Sequence, residues 1–319
     1  MENTGIQTNL PLVSVLIPTH ERPHYFSLAL ASVINQTYQN IEIIISDNSC
    51  DDETEAIVKS FQAAYRNIRY FHSPGMDMES NWQTCWDNMS PESVYVNFLM
   101  DDDIFAPTKI EVMVAILESH PELVLATSYR KLIDGNGELL PDKPFNSKLF
   151  ESNTIADGQS AGKQIFVNCS NFIGEPTTVL FRKKCAGGYF RGWTGDEKYL
   201  ILDYPLWLRL LEKGDFVYIA QPLSFFRQHE SNDTKDFLTS IRFPLSFAYA
   251  IQTAWNRKIY LTNLNDLKKT ISLWLKGATD ALLRCYEEDY HGEYLDDLQK
   301  IYKCMSQYFL SDGTDDIAF

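Results

Sequence analysis

The chain has 319 residues, 45% of them hydrophobic and 22% charged, a globular balance that excludes disorder, collagen and low-complexity fibres. Lys and Arg total 28 against 43 Asp and Glu, a formal net charge of −15. This argues against a broad basic nucleic-acid footprint and against general attraction to anionic lipid.

LVSVLIP (12–18) reads as a buried strand ended by Pro18, HYFSLALASVINQ (24–36) as a helix, and IEIIIS (41–46) as a second, β-branched strand. Residues 52–64 follow as a helix, IRYF (68–71) as a third strand, 80–89 as a short helix and VYVNFLM (94–100) as a fourth strand. A helix is expected from Pro107, a favourable first helical residue, and LVLATSY (123–129) is a fifth strand. Strands separated by helices predict βαβ units in a mostly parallel sheet. Residues 141–176 read as polar and irregular, TTVLF (177–181) as a strand, and the Gly- and aromatic-rich AGGYFRGWTG (186–195) as a mobile, lid-like loop. DYPLWLRLLEKG (203–214) is a helix stopped by Gly214, and DFVYIA (215–220) a strand. Leu264, Leu267, Ile271, Leu275, Ala278, Leu282 and Cys285, then Leu295, Leu298, Ile301, Met305 and Tyr308, recur at helical spacing. That tail reads either as a helical cap or as a partner- or membrane-surface module, and its lack of a Lys/Arg-rich face weakens the membrane version.

Several familiar patterns fail. HERPH (20–24) matches the zinc-protease H-E-x-x-H, but Pro23 is incompatible with the continuous helix that motif needs. There is no G-x-G-x-x-G, no G-x-S-x-G, and GQSAGK (158–163) is too short for a phosphate-cradling loop. MENTGIQTNL is not a signal peptide, and no run approaches the roughly 18 apolar residues of a spanning helix. Cys50, Cys85, Cys169, Cys185, Cys285 and Cys304 show no C-x-x-C spacing and suit a reducing compartment. The expected location is the cytoplasm, with peripheral contact at the inner face of the membrane left open.

What remains is acidic. Asp47 follows the second strand, and Asp101, Asp102 and Asp103 follow the fourth. The C-terminal edge of a parallel sheet is where ligands bind. Adjacent carboxylates there repel one another unless a counter-ion joins them, and Mg²⁺ or Mn²⁺ suits oxygen ligands.

LVSVLIPTHERP (12–23), IEIIISDNSCDDET (41–54) and VNFLMDDDIFAP (96–107), with LDYPLWLRLLEKG (202–214) and FFRQHESNDT (225–234), together resemble glycosyltransferase family 2 over about residues 11–234. The resemblance implies an α/β GT-A fold, Rossmann-like, with a C-terminal helical extension. It divides the chain into a nucleotide-sugar-binding half (1–120), an acceptor-binding half (121–235) and a helical region (236–319). It implies an inverting transferase that moves a sugar from a nucleotide-sugar donor, most readily a UDP-sugar, to a hydroxyl of a glycan, lipid-linked or protein acceptor in surface-glycan or glycoconjugate synthesis. Pro18, Thr19, His20 and Glu21 fall in the segment that cradles base and ribose, with His20 where Tyr is common and Glu21 where Asn is. Asp47 fits the uracil-binding Asp, its alternative being a loop-capping carboxylate. The resemblance puts Asp101 near the ribose or just outside the metal's own ligands, and makes Asp102 the first choice for a divalent metal, Mn²⁺ or Mg²⁺, with Asp103 following and Met100 replacing the family's first Asp. Asp203 matches the general base, with Asp196 and Glu197 as rivals. Arg227 and His229 match positions that bind diphosphate and metal in some members. The losses at Leu202 and Pro205 leave open a GT-A scaffold without turnover, whereas a nucleotidyltransferase lacks its Gly-rich activation loop.

Overall fold

The computed structural model describes residues 10–187, 193–194, 201, 203–229, 237–311 and 315–319. Its first section runs β1 (Val13–Thr19), α1 (Pro23–Ile34), β2 (Ile41–Asp47), α2 (Glu53–Gln62), β3 (Ile68–His72), α3 (Met78–Asp87) and β4 (Tyr95–Phe98). The chain continues with β5 (Ile104–Phe105), α4 (Lys109–Ser119), β6 (Leu123–Ile133), β7 (Leu139–Leu140), β8 (Thr154–Ala156) and α5 (Gly158–Val167). Then come β9 (Leu180–Arg182), α6 (Lys183–Ala186), α7 (Tyr204–Leu211) and β10 (Asp215–Arg227). Helices α8 (Phe237–Asn256), α9 (Leu264–Glu287) and α10 (Glu293–Leu310) form the tail.

The strands join one sheet in the order β3-β2-β1-β4-β9-β6-β10-β5, with β7 on β6 and β8 on β10. The alternation of side chains along a strand builds two cores. Val13, Val15 and Ile17 of β1 enter one with Phe26 of α1, Val58 of α2 and Ile110 of α4. Leu16 of the same strand enters the other with Trp86 of α3, Ile165 of α5, Trp207 of α7 and the tail helices. A strand buried on both faces is apolar throughout rather than alternating, which explains why LVSVLIP carries little periodicity.

The parallel expectation holds for β3-β2-β1-β4 and for β6 with β10. Between these sets lies β9, antiparallel to both β4 and β6. Residues 141–176 are less irregular than expected, because α5 occupies their centre, capped by Asp157, whose carboxylate accepts from Ser160 N at 2.7 Å. Its glycines weaken a helical reading, yet each allows a close approach. A Cβ on Gly158 would lie 2.0 Å from the Gly214 carbonyl oxygen, and one on Gly162 would lie 2.1 Å from the Tyr260 ring. The segment read as a failed phosphate loop is thus a helix packed backbone-first against α7 and the tail.

The strand expected over 215–220 continues to Arg227, with register shifts between Ile219 and Pro222 and between Pro222 and Ser224. The tail is helical as read, and its last residues fold back: Gln252 and Asn256 both donate to the Ile317 carbonyl. No described helix is long and apolar enough to cross a membrane.

Candidate active site

A cavity of about 660 Å³ opens at the C-terminal ends of β1, β2 and β4. Its wall includes Pro18, Thr19, His20, Asp101, Asp102 and Asp203, so six of the residues singled out in the sequence converge. They come from the end of β1, the turn after β4 and the start of α7, elements far apart in sequence.

The first cluster ties β1 to the turn after β4. Asp101 accepts from Thr19 Oγ1 at 2.9 Å and from His20 N at 3.2 Å. Arg22 Nη1 lies 3.2 Å from Asp101 Oδ1 and 3.7 Å from Asp102 Oδ2. Burial and the neighbouring Asp102 charge push Asp101 up to about 6, against the Arg22 guanidinium. The turn that delivers Arg22 contains Glu21 at φ 49°, a left-handed conformation costing a non-glycine residue roughly 1–2 kcal/mol. Glu21 N donates to Ser49 Oγ at 2.7 Å, which holds that turn against the loop after β2.

The second cluster surrounds Asp102. His229 Nε2 is 2.9 Å from its Oδ2, and the Arg227 Nε donates to its carbonyl at 2.7 Å. Tyr25 lies between these partners, with its ring 4.9 Å from that of His229 and 4.8 Å from the Arg227 guanidinium.

Four residues of the sequence reading stand behind the wall rather than in it: His229, already placed beside Asp102, and Asp103, Arg227 and Asp47. Asp103 is buried with both oxygens engaged: Thr177 Oγ1 donates to one at 2.6 Å and Arg227 N to the other at 2.9 Å. It fastens the turn after β4 to the end of β10, and its carboxylate is not among the groups lining the cavity. Arg227 is itself fully buried and donates to the Asp134 and Gly135 carbonyls. Asp47 is also enclosed, accepting from Ser49 N at 2.8 Å and Tyr70 Oη at 2.7 Å. Its neighbour Asn48, on the opposite side of the chain, lines the cavity instead and accepts from Asn81 Nδ2 at 3.2 Å. Glu21 lies at the rim, half of its side chain exposed.

Asp203 N-caps α7, accepting from Tyr204 N at 2.6 Å through one oxygen and from Asn171 Nδ2 at 2.9 Å through the other. Burial pushes its carboxyl up to about 6, with the Glu175 charge adding to the rise. Glu175, which sequence reasoning missed, lines the same cavity in an ion pair of 2.6 Å with Arg130 Nε. The available signal was a carboxylate flanked by the chain-turning residues Gly174 and Pro176. Arg22 and Asn48 lay inside motifs already singled out. The rivals Asp196 and Glu197, and most of the expected lid over 186–195, lie outside the described residues.

Among the described residues no group of three His, Cys, Asp or Glu side chains forms a metal cage. Asp102 supplies a hard carboxylate donor and His229 beside it a borderline imidazole nitrogen, and Mg²⁺-type ions are commonly held by one or two carboxylates plus substrate phosphates. That donor set fits an ion that arrives with a phosphate ligand.

A family model described as glycosyl transferase family 2 matches residues 14–186, more than half of the chain. An uncharacterized glycosyltransferase of Rickettsia typhi is 27% identical over 282 residues, spanning 86% of this chain and 79% of that protein. The GalNAc(5)-diNAcBac-PP-undecaprenol beta-1,3-glucosyltransferase of Campylobacter jejuni is 22% identical over 299 residues, 93% of this chain and 87% of its own. The crystal structure of S. aureus TarS 1–349 in complex with UDP-GlcNAc superposes with a TM-score of 0.55 at 14% identity, covering 93% of this chain and 92% of that one. This last likeness is one of fold. The chain is a glycosyltransferase with a GT-A-type fold, and it belongs to glycosyl transferase family 2.

Proposed function

We propose that this chain transfers a sugar from a UDP-sugar to a hydroxyl of a lipid-linked or polymeric glycan acceptor, with inversion, Asp203 acting as general base. The observation that carries the reading is the convergence of Thr19, Asp101, Asp102 and Asp203 on one cavity. The UDP-GlcNAc bound by TarS and the PP-undecaprenol acceptor named for the Campylobacter relative support the donor and acceptor classes.

Each residue has a chemical task in this reading. Pro18, Thr19, His20 and Asn48 bound the end that takes base and ribose. Arg22 carries a positive charge to the carboxylate pair where a diphosphate would lie. Asp102 and His229 would hold Mn²⁺ or Mg²⁺, with Asp103 and Arg227 holding the Asp102 turn in place; a bound ion would offset charge that develops on the leaving diphosphate. Asp203, whose carboxyl burial pushes up to about 6, is still ionised at neutral pH and accepts the proton of the attacking hydroxyl. The C–O bond to the acceptor forms as the bond to the diphosphate breaks on the opposite face, so one displacement inverts the anomeric centre.

The test is a thermal-shift screen of UDP-, GDP- and dTDP-sugars with Mn²⁺, followed by a transfer assay with the donor that binds. UDP-sugars are expected to raise the melting temperature most. No stabilisation by any nucleotide-sugar would sink the reading, and binding without turnover on any glycan acceptor would favour a scaffold.

A further inference from the structure

A second concavity, of about 530 Å³, lies at the far end of α7. Asp203 caps the start of this helix and Glu212 its end, so the two sites are about 14 Å apart along its axis at 1.5 Å per residue. Among the described residues its wall carries Lys184, Arg209, Lys213 and Arg257 against one carboxylate, Glu212. These cations come from α6, from α7 and the turn after it, and from the turn after α8, in a chain whose net charge is −15.

Glu212 is already committed, accepting from Trp193 Nε1 at 2.9 Å and from Arg257 Nη2 at 2.6 Å. The Arg257 guanidinium lies 5.8 Å from the Trp193 ring, and Arg209 Nη1 donates to the Ala186 carbonyl at 3.0 Å. The two arginines are therefore held in place. Lys184 and Lys213 are exposed, and neither ammonium group has a described carboxylate within ion-pair distance. The negative end of α7 accounts for a cation or two nearby, yet Lys184 and Arg257 reach the concavity from other elements.

We infer that this concavity binds a phosphate-bearing ligand of at least two negative charges, such as a diphosphate ester, through Lys184, Lys213, Arg209 and Arg257. Fixed guanidinium groups give directed donors, and the two lysines give mobile point charges. Resting on the function proposed above, the ligand's role there is to hold the phosphate end of the acceptor while its sugar end reaches Asp203. The phosphate group has two sources, a soluble diphosphate-type ligand or the headgroups of a lipid surface.

The test uses the full chain and the double variant Lys184→Gln/Lys213→Gln, whose replaced side chains are exposed and take no part in the arginine contacts. Calorimetric titration with inorganic pyrophosphate is expected to give at least a tenfold weaker affinity for the double variant. Sedimentation with phosphatidylglycerol/phosphatidylcholine vesicles separates the sources. A variant that loses vesicle binding assigns the site to headgroups. Pyrophosphate binding that depends on the lysines, without vesicle binding by the wild type, assigns it to a soluble diphosphate. Equal pyrophosphate affinity and equal sedimentation for both proteins would overturn the inference. Donor binding is read separately by the nucleotide-sugar screen, so failure there leaves the pyrophosphate result standing, and the reverse also holds.

Discussion

The donor side of the cavity and its far side are built by different means. On the donor side, β1, β2 and β4 are parallel and in simple register, with Thr19 opposite Asp47. Pro18 and Thr19 close β1, His20 and Asn48 lie one position beyond β1 and β2, and Asp101 and Asp102 lie three and four beyond β4, so the strand ends fix where they stand. On the far side, Asp203, Glu175 and Asn171 come from an antiparallel insertion and a helix start, held by contacts between distant segments such as Asn171 to Asp203. Placement by local chain direction survives single side-chain changes. Placement by long-range contacts depends on each of them.

This contrast makes its strongest prediction at Asp203. Asp203→Asn keeps the capping acceptor, since Asn caps about as well as Asp, but removes the base. Transfer is expected to fall by roughly 10²–10⁴ with unchanged donor affinity in a binding assay. In the wild type the rate should rise with pH through about 6 as the carboxyl ionises, and the variant should lose that limb. Near-normal turnover would reduce Asp203 to a cap.

At Asp102, on the donor side, binding rather than rate alone should suffer. Asp102→Asn is expected to weaken Mn²⁺-dependent nucleotide affinity by at least roughly tenfold, given that even indirect partners of metal ligands cost about 10–100-fold. Full wild-type activity in EDTA would remove the metal from the mechanism.

The next effect is on stability. Gly162→Ala puts a methyl group against the Tyr260 ring, whose hydroxyl donates to the Leu208 carbonyl at 2.5 Å. Overpacking of this kind costs about 1–3 kcal/mol, readable as a shift in the urea midpoint. The smallest effect has the opposite sign. A Cβ on Gly277 in α9 meets nothing within 4 Å, so Gly277→Ala should stabilise by about 0.5–1 kcal/mol. Equal effects at the two glycines would show that close approach at α5 is not what the first one provides.

The same contrast explains what the sequence disclosed. The βαβ order, the acidic turn after β4 and the start of α7 were legible, because buried strands and the residues just beyond them leave compact local patterns. The direction of β9 and the existence of α5 were not. A three-residue strand has no periodicity of its own, and glycines chosen for contact with Gly214 and Tyr260 look like loop formers. Within the site, the motif around Asp47 was legible but not which of two neighbours faces the ligand: Tyr70 and Ser49 draw Asp47 inward and leave Asn48 in the wall. Asp103 and Arg227 were visible as charged residues, while their mutual bond across the sheet depends on a pairing of residues more than a hundred positions apart.

The long strand β10 has a consequence for deletions. Phe226 lines the cavity while Arg227 beside it is buried behind the wall, and the register shifts near Pro222 set which of them faces which way. Because side chains alternate with a period of two, removing one residue between 219 and 224 would exchange their faces, carrying a guanidinium into the cavity and unfastening Asp103. Scanning the chain with single-residue deletions should therefore find β10 intolerant between 219 and 224, even at the exposed Gln221, where a substitution would be mild.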